Sequence, residues 1–275
     1  MKRKRRKIKW KNVILLLFLL VFTTIFIISL VNIIKWLVDN KNSDKVIEEI
    51  YETTDINEVN DNENTEIITQ EDVDEKNPYW DYIKMNLIDV DFSSLKKENP
   101  STVGWIQVNG TNINYPFVQA EDNSFYLNHS FNKSKNEAGW VFMDYRNNNK
   151  DFDKNTIIYA HGRLNKIMFG SLRNILTTSW VNNTDNFIVK LSTEYENTLW
   201  QIFSIYKIPT TSDYIKVNFT SDKVFEEFGQ MLINRSQYNF NTNINSNDKI
   251  LTLSTCYDND NKVVLHAKLI KRKKK

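Results

Sequence analysis

Val13–Ile34 is a run of 22 residues without a charged side chain, broken only by Thr23, Thr24, Ser29 and Asn32. A helix rising about 1.5 Å per residue carries that run across roughly 33 Å, the thickness of a bilayer's hydrocarbon core. No other feature restricts the chain so strongly, because a segment in lipid has to satisfy its own backbone and so has to be helical. A signal-peptide core is usually shorter, and no small-x-small cleavage site follows; Lys35–Trp36 reads as an interfacial anchor instead. Residues 13–38 are therefore expected to form one uncleaved transmembrane helix. Eight Lys/Arg and no acid precede it in Met1–Asn12. By the positive-inside rule, residues 1–12 stay in the cytoplasm and everything after Val38 lies outside the cell.

The net charge of +2 hides a strong segregation. Asp39–Asn77 carries fourteen Asp/Glu against Lys41, Lys45 and Lys76, and few large apolar residues. Residues 39–77 read as an acidic extracellular spacer, with a helical turn or two at Lys41–Glu52. Segregation of this kind points to a membrane interface, and no broad basic face marks the remainder as a nucleic-acid binder.

From Pro78 to Lys275 the texture is that of a folded domain built from short strands. Val103–Val108 and Ile113–Val118 flank Asn109-Gly110, a hairpin signal because both turn residues tolerate positive φ. Gly139–Met143, Thr156–Ala160, Phe187–Ser192, Leu199–Tyr206, Ile250–Thr255 and Val263–Ile270 are further strands. Helices are expected at Trp80–Met85, Met168–Leu176 and Ser221–Asn234. About eight short strands with few helices predict a closed or nearly closed β-barrel.

The chain has one cysteine, so no intrachain disulfide is possible and stability rests on packing. Cys256 ends the run Ile250–Thr255, where the chain enters the polar loop Tyr257–Asn261. That thiol is either core filler or a nucleophile placed within reach of substrate. His161 stands in the same relation to Thr156–Ala160 and opens the loop that follows. The other two histidines, His129 in an aromatic loop and His266 within the last strand, read as structural. A Cys/His pair at two strand mouths is the minimum for thiol-based acyl transfer: one group attacks and the other protonates the leaving amine.

Thr252-Leu253-Ser254-Thr255-Cys256 resembles the TLxTC signature of sortases, and the similarity extends along the domain. Thr102–Ile106, Asn109–Ile113, Tyr115-Pro116, Phe125–His129, Ala138–Asp144, Asn155–Gly162 and Met168–Leu172 are similar to class B sortases, in the same order. The resemblance covers about Pro78 to Ile270. It implies an eight-stranded sortase-type β-barrel with a few short helices, preceded here by the transmembrane helix. It implies a thiolate attack on a C-terminal sorting signal of a secreted protein, a thioester, and its resolution by a cell-wall amine. By the resemblance, Cys256 matches the nucleophile and His161 the acid/base, and Tyr159, Ser254, Thr255 and Asp258 are expected to line the substrate groove, Asp258 standing where the class often has an acid. The family's arginine on the last strand is replaced here by Lys262, after a short loop. Lysine keeps the positive charge but loses the planar fork that donates two hydrogen bonds at once. Two other readings stay open at this point: a hydrolase using the same pair, and a weakly catalytic sortase-fold protein that binds sorting signals. No metal-ligand cluster or phosphate loop is present, so no organic cofactor is expected; the acidic residues leave Ca²⁺ open.

Overall fold

The computed structural model describes residues 9–59, 65–68, 77–258 and 260–275. Most of the basic segment at residues 1–12 and parts of the acidic segment at 39–77 lie outside these residues. Helices are α1 (Trp10–Thr53), α2 (Tyr79–Tyr82), α3 (Ser93–Glu98), α4 (Thr178–Val181) and α5 (Asp222–Arg235). Strands are β1 (Ile56–Val59), β2 (Thr65–Ile67), β3 (Leu87–Val90), β4 (Thr102–Val108), β5 (Asn114–Val118) and β6 (Phe142–Met143). They continue with β7 (Asn155–Tyr159), β8 (Ile188–Thr193), β9 (Glu196–Pro209), β10 (Ile250–Cys256) and β11 (Asn261–Lys274).

Eight strands close into a barrel in the order β10-β7-β6-β5-β4-β8-β9-β11, with β11 returning to pair β10 and β2 added outside β11. Every strand expected from the sequence has its counterpart in this ring. The turn between β4 and β5 uses Gly110 at φ 69°, a left-handed conformation that a Cβ would strain. Met168–Leu176 departs from the expected helix: Gly170–Leu176 is a 3₁₀ helix.

The interior is filled from both sides by alternate residues. Leu251 and Leu253 of β10, and Val263, Leu265 and Ala267 of β11, belong to the main core with Trp105, Phe117, Trp140 and Trp200. The intervening Ile250 and Val264 face a second apolar cluster with Phe225, Phe228 and Leu232 of α5. Those α5 residues recur at helical spacing, and Ser221 caps the helix by accepting from the Val224 amide at 3.3 Å.

The N-terminal helix departs from the sequence-based expectation. It does not stop near Val38 but runs 44 residues to Thr53. Its apolar half is exposed, as a membrane span is without its lipid. The other half buries Asn40, Ser43, Val46 and Ile50, a stripe at spacings of three and four on an otherwise polar helix. Two apolar pairs, Val46-Ile47 and Ile50-Tyr51, in a strongly acidic stretch suggest no more than a helical turn or two until a domain surface is there to receive them. Tyr51 adds an edge contact to Trp105 at 5.9 Å and donates from its hydroxyl to the Asn114 carbonyl at 2.5 Å. β1 pairs with β3, and β2 with β11. Parts of the expected spacer are thus structured and packed on the barrel.

Candidate active site

β10 lies between β7 and β11. With β7 it is parallel, in a register that sets Ser254 beside Tyr159. Two residues further along each chain come Cys256 and His161, so both leave the sheet at the same level. With β11 the pairing is antiparallel and Cys256 stands directly opposite Lys262. Side chains alternate along strands, so Thr252, Ser254 and Cys256 share a face with Lys262, Val264 and His266. Asn155, which accepts from the Thr252 hydroxyl at 2.7 Å, fixes the matching face of β7. This face carries a groove of about 670 Å³ lined by Tyr159, His161, Ser254, Thr255, Cys256 and Lys262, with Leu127, Phe142, Thr210, Tyr214 and Ile215 opposite.

At its centre Lys262 Nζ donates to Cys256 Sγ at 2.9 Å. The thiol is half-buried. His161 Nε2 lies 2.7 Å from the Leu127 carbonyl, which can only accept. The neutral ring therefore carries its proton on Nε2 and presents Nδ1 as the basic nitrogen. The loops after Cys256 and His161 are in close contact: a Cβ on Gly162 would fall 2.1 Å from the Cys256 carbonyl oxygen. Glycine is required there by the approach of the two backbones.

Of the residues expected from the sequence, six line the groove, in two roles. Thr255 acts on the framework, donating to the Ala160 carbonyl at 2.7 Å and tying the ends of β10 and β7. Tyr159 donates to Asp144 Oδ2 at 2.9 Å; burial and that carboxylate hold its hydroxyl well above the usual phenol range. Asp144 is itself low: burial opposes its charge, but Arg146, paired at 2.7 Å, and Tyr159 outweigh it.

Asp258 is not among the lining residues. Its carboxylate accepts from the Asn261 backbone and side-chain N–H groups, each at 2.8 Å, and from the Asp260 amide at 3.0 Å. Those bonds, led by the Asn261 side chain, hold it down at about 2. Asp258 therefore shapes the β10–β11 turn that places Lys262 opposite Cys256. An acid two residues after the nucleophile reads as a groove residue because sequence position says nothing about the direction a short hairpin turn gives its side chains.

Two residues of the site carry no clear mark in the sequence. Tyr214 sits in the loop after β9 and shares a hydrogen bond with Ser254 Oγ at 2.9 Å. Burial raises its hydroxyl, while Ser254 and the neighbouring Lys262 pull the other way. Its one signal is an aromatic–aliphatic pair, Tyr214-Ile215, inside a polar loop. Arg173, on the 3₁₀ helix, donates through Nη2 to the Tyr257 carbonyl and, at 3.5 Å, to the Gly162 carbonyl. Its guanidinium also lies 4.9 Å from the Tyr257 ring centroid. Arg173 so joins the loop after the cysteine to the loop after the histidine, and nothing in its local sequence marks it out. The other histidines are structural: His129 Nδ1 is 2.8 Å from the Phe125 carbonyl, and buried His266 bonds Tyr206 and Thr252.

A parallel strand pair that delivers a cysteine and a histidine to one groove, inside a closed eight-stranded barrel, defines a sortase-type cysteine transpeptidase. Comparison with known proteins gives the same answer. Residues 106–270 match the sortase domain family. Sortase B of Staphylococcus aureus is 36% identical over 184 residues, which span 66% of this chain and 75% of that protein. The structure of the Staphylococcus aureus sortase B–substrate complex superposes with a TM-score of 0.61 at 36% identity, covering 66% of this chain and 84% of the other. Sortase B from B. anthracis, solved in complex with AAEK1, gives 0.67 at 31% identity over 86% of this chain and 99% of that one. The chain belongs to the sortase family, and its relatives place it in class B.

Proposed function

We propose that Cys256 is the nucleophile, His161 the general acid/base and Lys262 the cation that replaces the family's arginine. The reading rests above all on one observation: the three residues meet at one level of β7, β10 and β11, with Lys262 Nζ 2.9 Å from the sulfur. In this mechanism the Cys256 thiol gives its proton to His161, and the resulting thiolate attacks the scissile carbonyl of a sorting-signal peptide. The ammonium faces the negative charge carried first by sulfur and then by the carbonyl oxygen. His161 protonates the leaving amine, and a thioester remains on Cys256. An amine of the cell-wall precursor then gives up a proton to His161 and displaces the thiol. Tyr159, Ser254 and Tyr214 line the groove that holds the peptide.

The same reading makes α1 a single-pass anchor, with the N-terminus in the cytoplasm and the barrel outside. It is supported by the length and lipid-like surface of Val13–Val38 and by the basic cluster at Lys2–Lys11. External protease is then expected to leave the N-terminal helix with the membrane and release a fragment starting within residues 39–77.

The chemical test is direct. The protein is incubated with a panel of sorting-signal peptides, with and without an amine acceptor, and examined by intact-mass spectrometry. A hydroxylamine-sensitive acyl adduct on Cys256 is expected; it should be absent in Cys256→Ala and formed orders of magnitude more slowly in His161→Ala. Both variants should keep their thermal transitions, since each side chain sits at a strand mouth and leaves little cavity. An adduct that persists in Cys256→Ala sinks the assignment.

A further inference from the structure

The contact between α1 and the barrel begins almost where the apolar run ends. Trp36, Leu37 and Val38 are exposed, and the next two residues are already engaged by the domain. Asn136 Nδ2 donates to the Asp39 carbonyl and to Ser43 Oγ, each at 3.1 Å, and Arg163 Nη2 donates to Asn40 Oδ1 at 2.7 Å. Asn40 lies two residues, about 3 Å along the helix, past Val38. The barrel rim that carries Asn136, Glu137 and Arg163 therefore stands within one helical turn of the end of the span, with no spacer between.

Arg163 is two residues after His161 and opens a closed turn. Lys166 donates its amide to the Arg163 carbonyl at 3.1 Å, Gly162 bridges to Met168, and Lys166 and Met168 both take positive φ, at 65° and 53°. The tip of that turn is Leu164, 81% exposed, more than any other large apolar side chain among the described residues, those of the transmembrane run included. A leucine held outward by a tight turn on a soluble surface has nothing to gain there. Cations flank it on the same turn, Arg163 and Lys166, and the segment that reaches Arg163 through the Glu137 carbonyl carries exposed Lys133 and Lys135. Two acids, Asp39 and Glu137, stand beside Arg163, and exposed Asp44 follows Ser43 on α1. An apolar tip flanked by cations on a tight turn is the composition of a surface that lies in a headgroup layer and favours anionic lipid.

The geometry points to the Arg163–Lys166 turn as a second membrane contact, with Leu164 entering the interface of the bilayer that α1 spans. The His161 side of the groove then opens beside the lipid surface, and substrates are engaged at that surface, not in bulk solvent. This inference rests on reading α1 as an anchor, and its test separates the two. In the full-length Cys256→Ala chain, Leu164→Cys and, separately, Trp36→Cys are labelled with an environment-sensitive fluorophore. Each is reconstituted into phosphatidylcholine/phosphatidylglycerol vesicles. The label at 164 is expected to shift to the blue on reconstitution, to be quenched by lipids spin-labelled near the headgroup, and to be shielded from aqueous iodide. A label at 36 that sees lipid while the one at 164 stays open to iodide overturns the inference and leaves the anchor standing. If neither label sees lipid, the anchor reading fails and the membrane contact fails with it.

Discussion

Replacing Lys262 by methionine keeps most of the side chain's length and apolar stem and removes only the ammonium. The structure sets the size of the effect. A unit charge 2.9 Å from Sγ, in a half-buried groove with an effective dielectric near 20, interacts with a full sulfur charge by about 6 kcal/mol. That is an upper bound, because the charge migrates from sulfur to the carbonyl oxygen during attack, and water enters the space the ammonium leaves. Charge-assisted hydrogen bonds retain about 1.5–3 kcal/mol net, which corresponds to a loss of roughly 10- to 150-fold in kcat/KM. Two assays read it. Peptide cleavage reports the complete site, and the second-order rate of iodoacetamide alkylation of Cys256 reports the sulfur without substrate. Lys262→Met and Lys262→Ala should fall in both, and more in kcat than in KM, since the cation acts mainly on charge that develops in the transition state. Lys262→Arg should keep or raise cleavage, because its fork can hold sulfur and oxygen together. Equal rates for wild type, methionine and alanine in both assays would refute the reasoning and reduce Lys262 to a residue of the β10–β11 turn.

Three other outcomes follow from the same geometry. Arg173→Ala removes the donor shared by the Tyr257 and Gly162 carbonyls, so kcat should drop about tenfold with KM little changed; an unaltered kcat makes Arg173 a surface residue. Gly162→Ala sets a methyl 2.1 Å from the Cys256 carbonyl, so it should separate the two loops and lower acylation far more than it lowers melting temperature. The buried His266 is held at about 3 by burial, against 6.5 unfolded, so folding excludes a proton that the unfolded chain binds. Its stabilising contribution is complete above the unfolded value and is lost, by about 1.4 kcal/mol per pH unit, as pH falls toward the folded one. Urea titrations should show that slope already below pH 6.5, before the carboxylates titrate, and His266→Gln should flatten it.

Most of the barrel was legible because its strands are apolar runs bounded by turn residues, and a two-residue period or an Asn-Gly turn is a local property. The apolar run of α1 was legible for the same reason, as was the pairing of a cysteine and a histidine, each ending a strand. What lay beyond reach depends on contacts between distant segments. Val46-Ile47 and Ile50-Tyr51 are short apolar pairs in an acidic stretch that suggest a helical turn or two; only the barrel surface packs them and makes them one continuous helix with the apolar run, to Thr53. Asp258 and Arg173 show the same limit from opposite sides. Asp258 reads as a groove residue and instead shapes a turn, whereas Arg173 falls within the expected helix Met168–Leu176 with nothing to mark it and joins two loops. The sequence by itself determined a helix long and apolar enough to cross a membrane, the barrel and the residue types at the two strand mouths, because each follows from local hydrophobicity and turn chemistry. Only the tertiary structure decided that Cys256 and His161 share a level and that Lys262 points at the sulfur. Register between strands nearly a hundred residues apart is set by the packing of the whole ring, and a slip of one residue would turn Cys256 into the core.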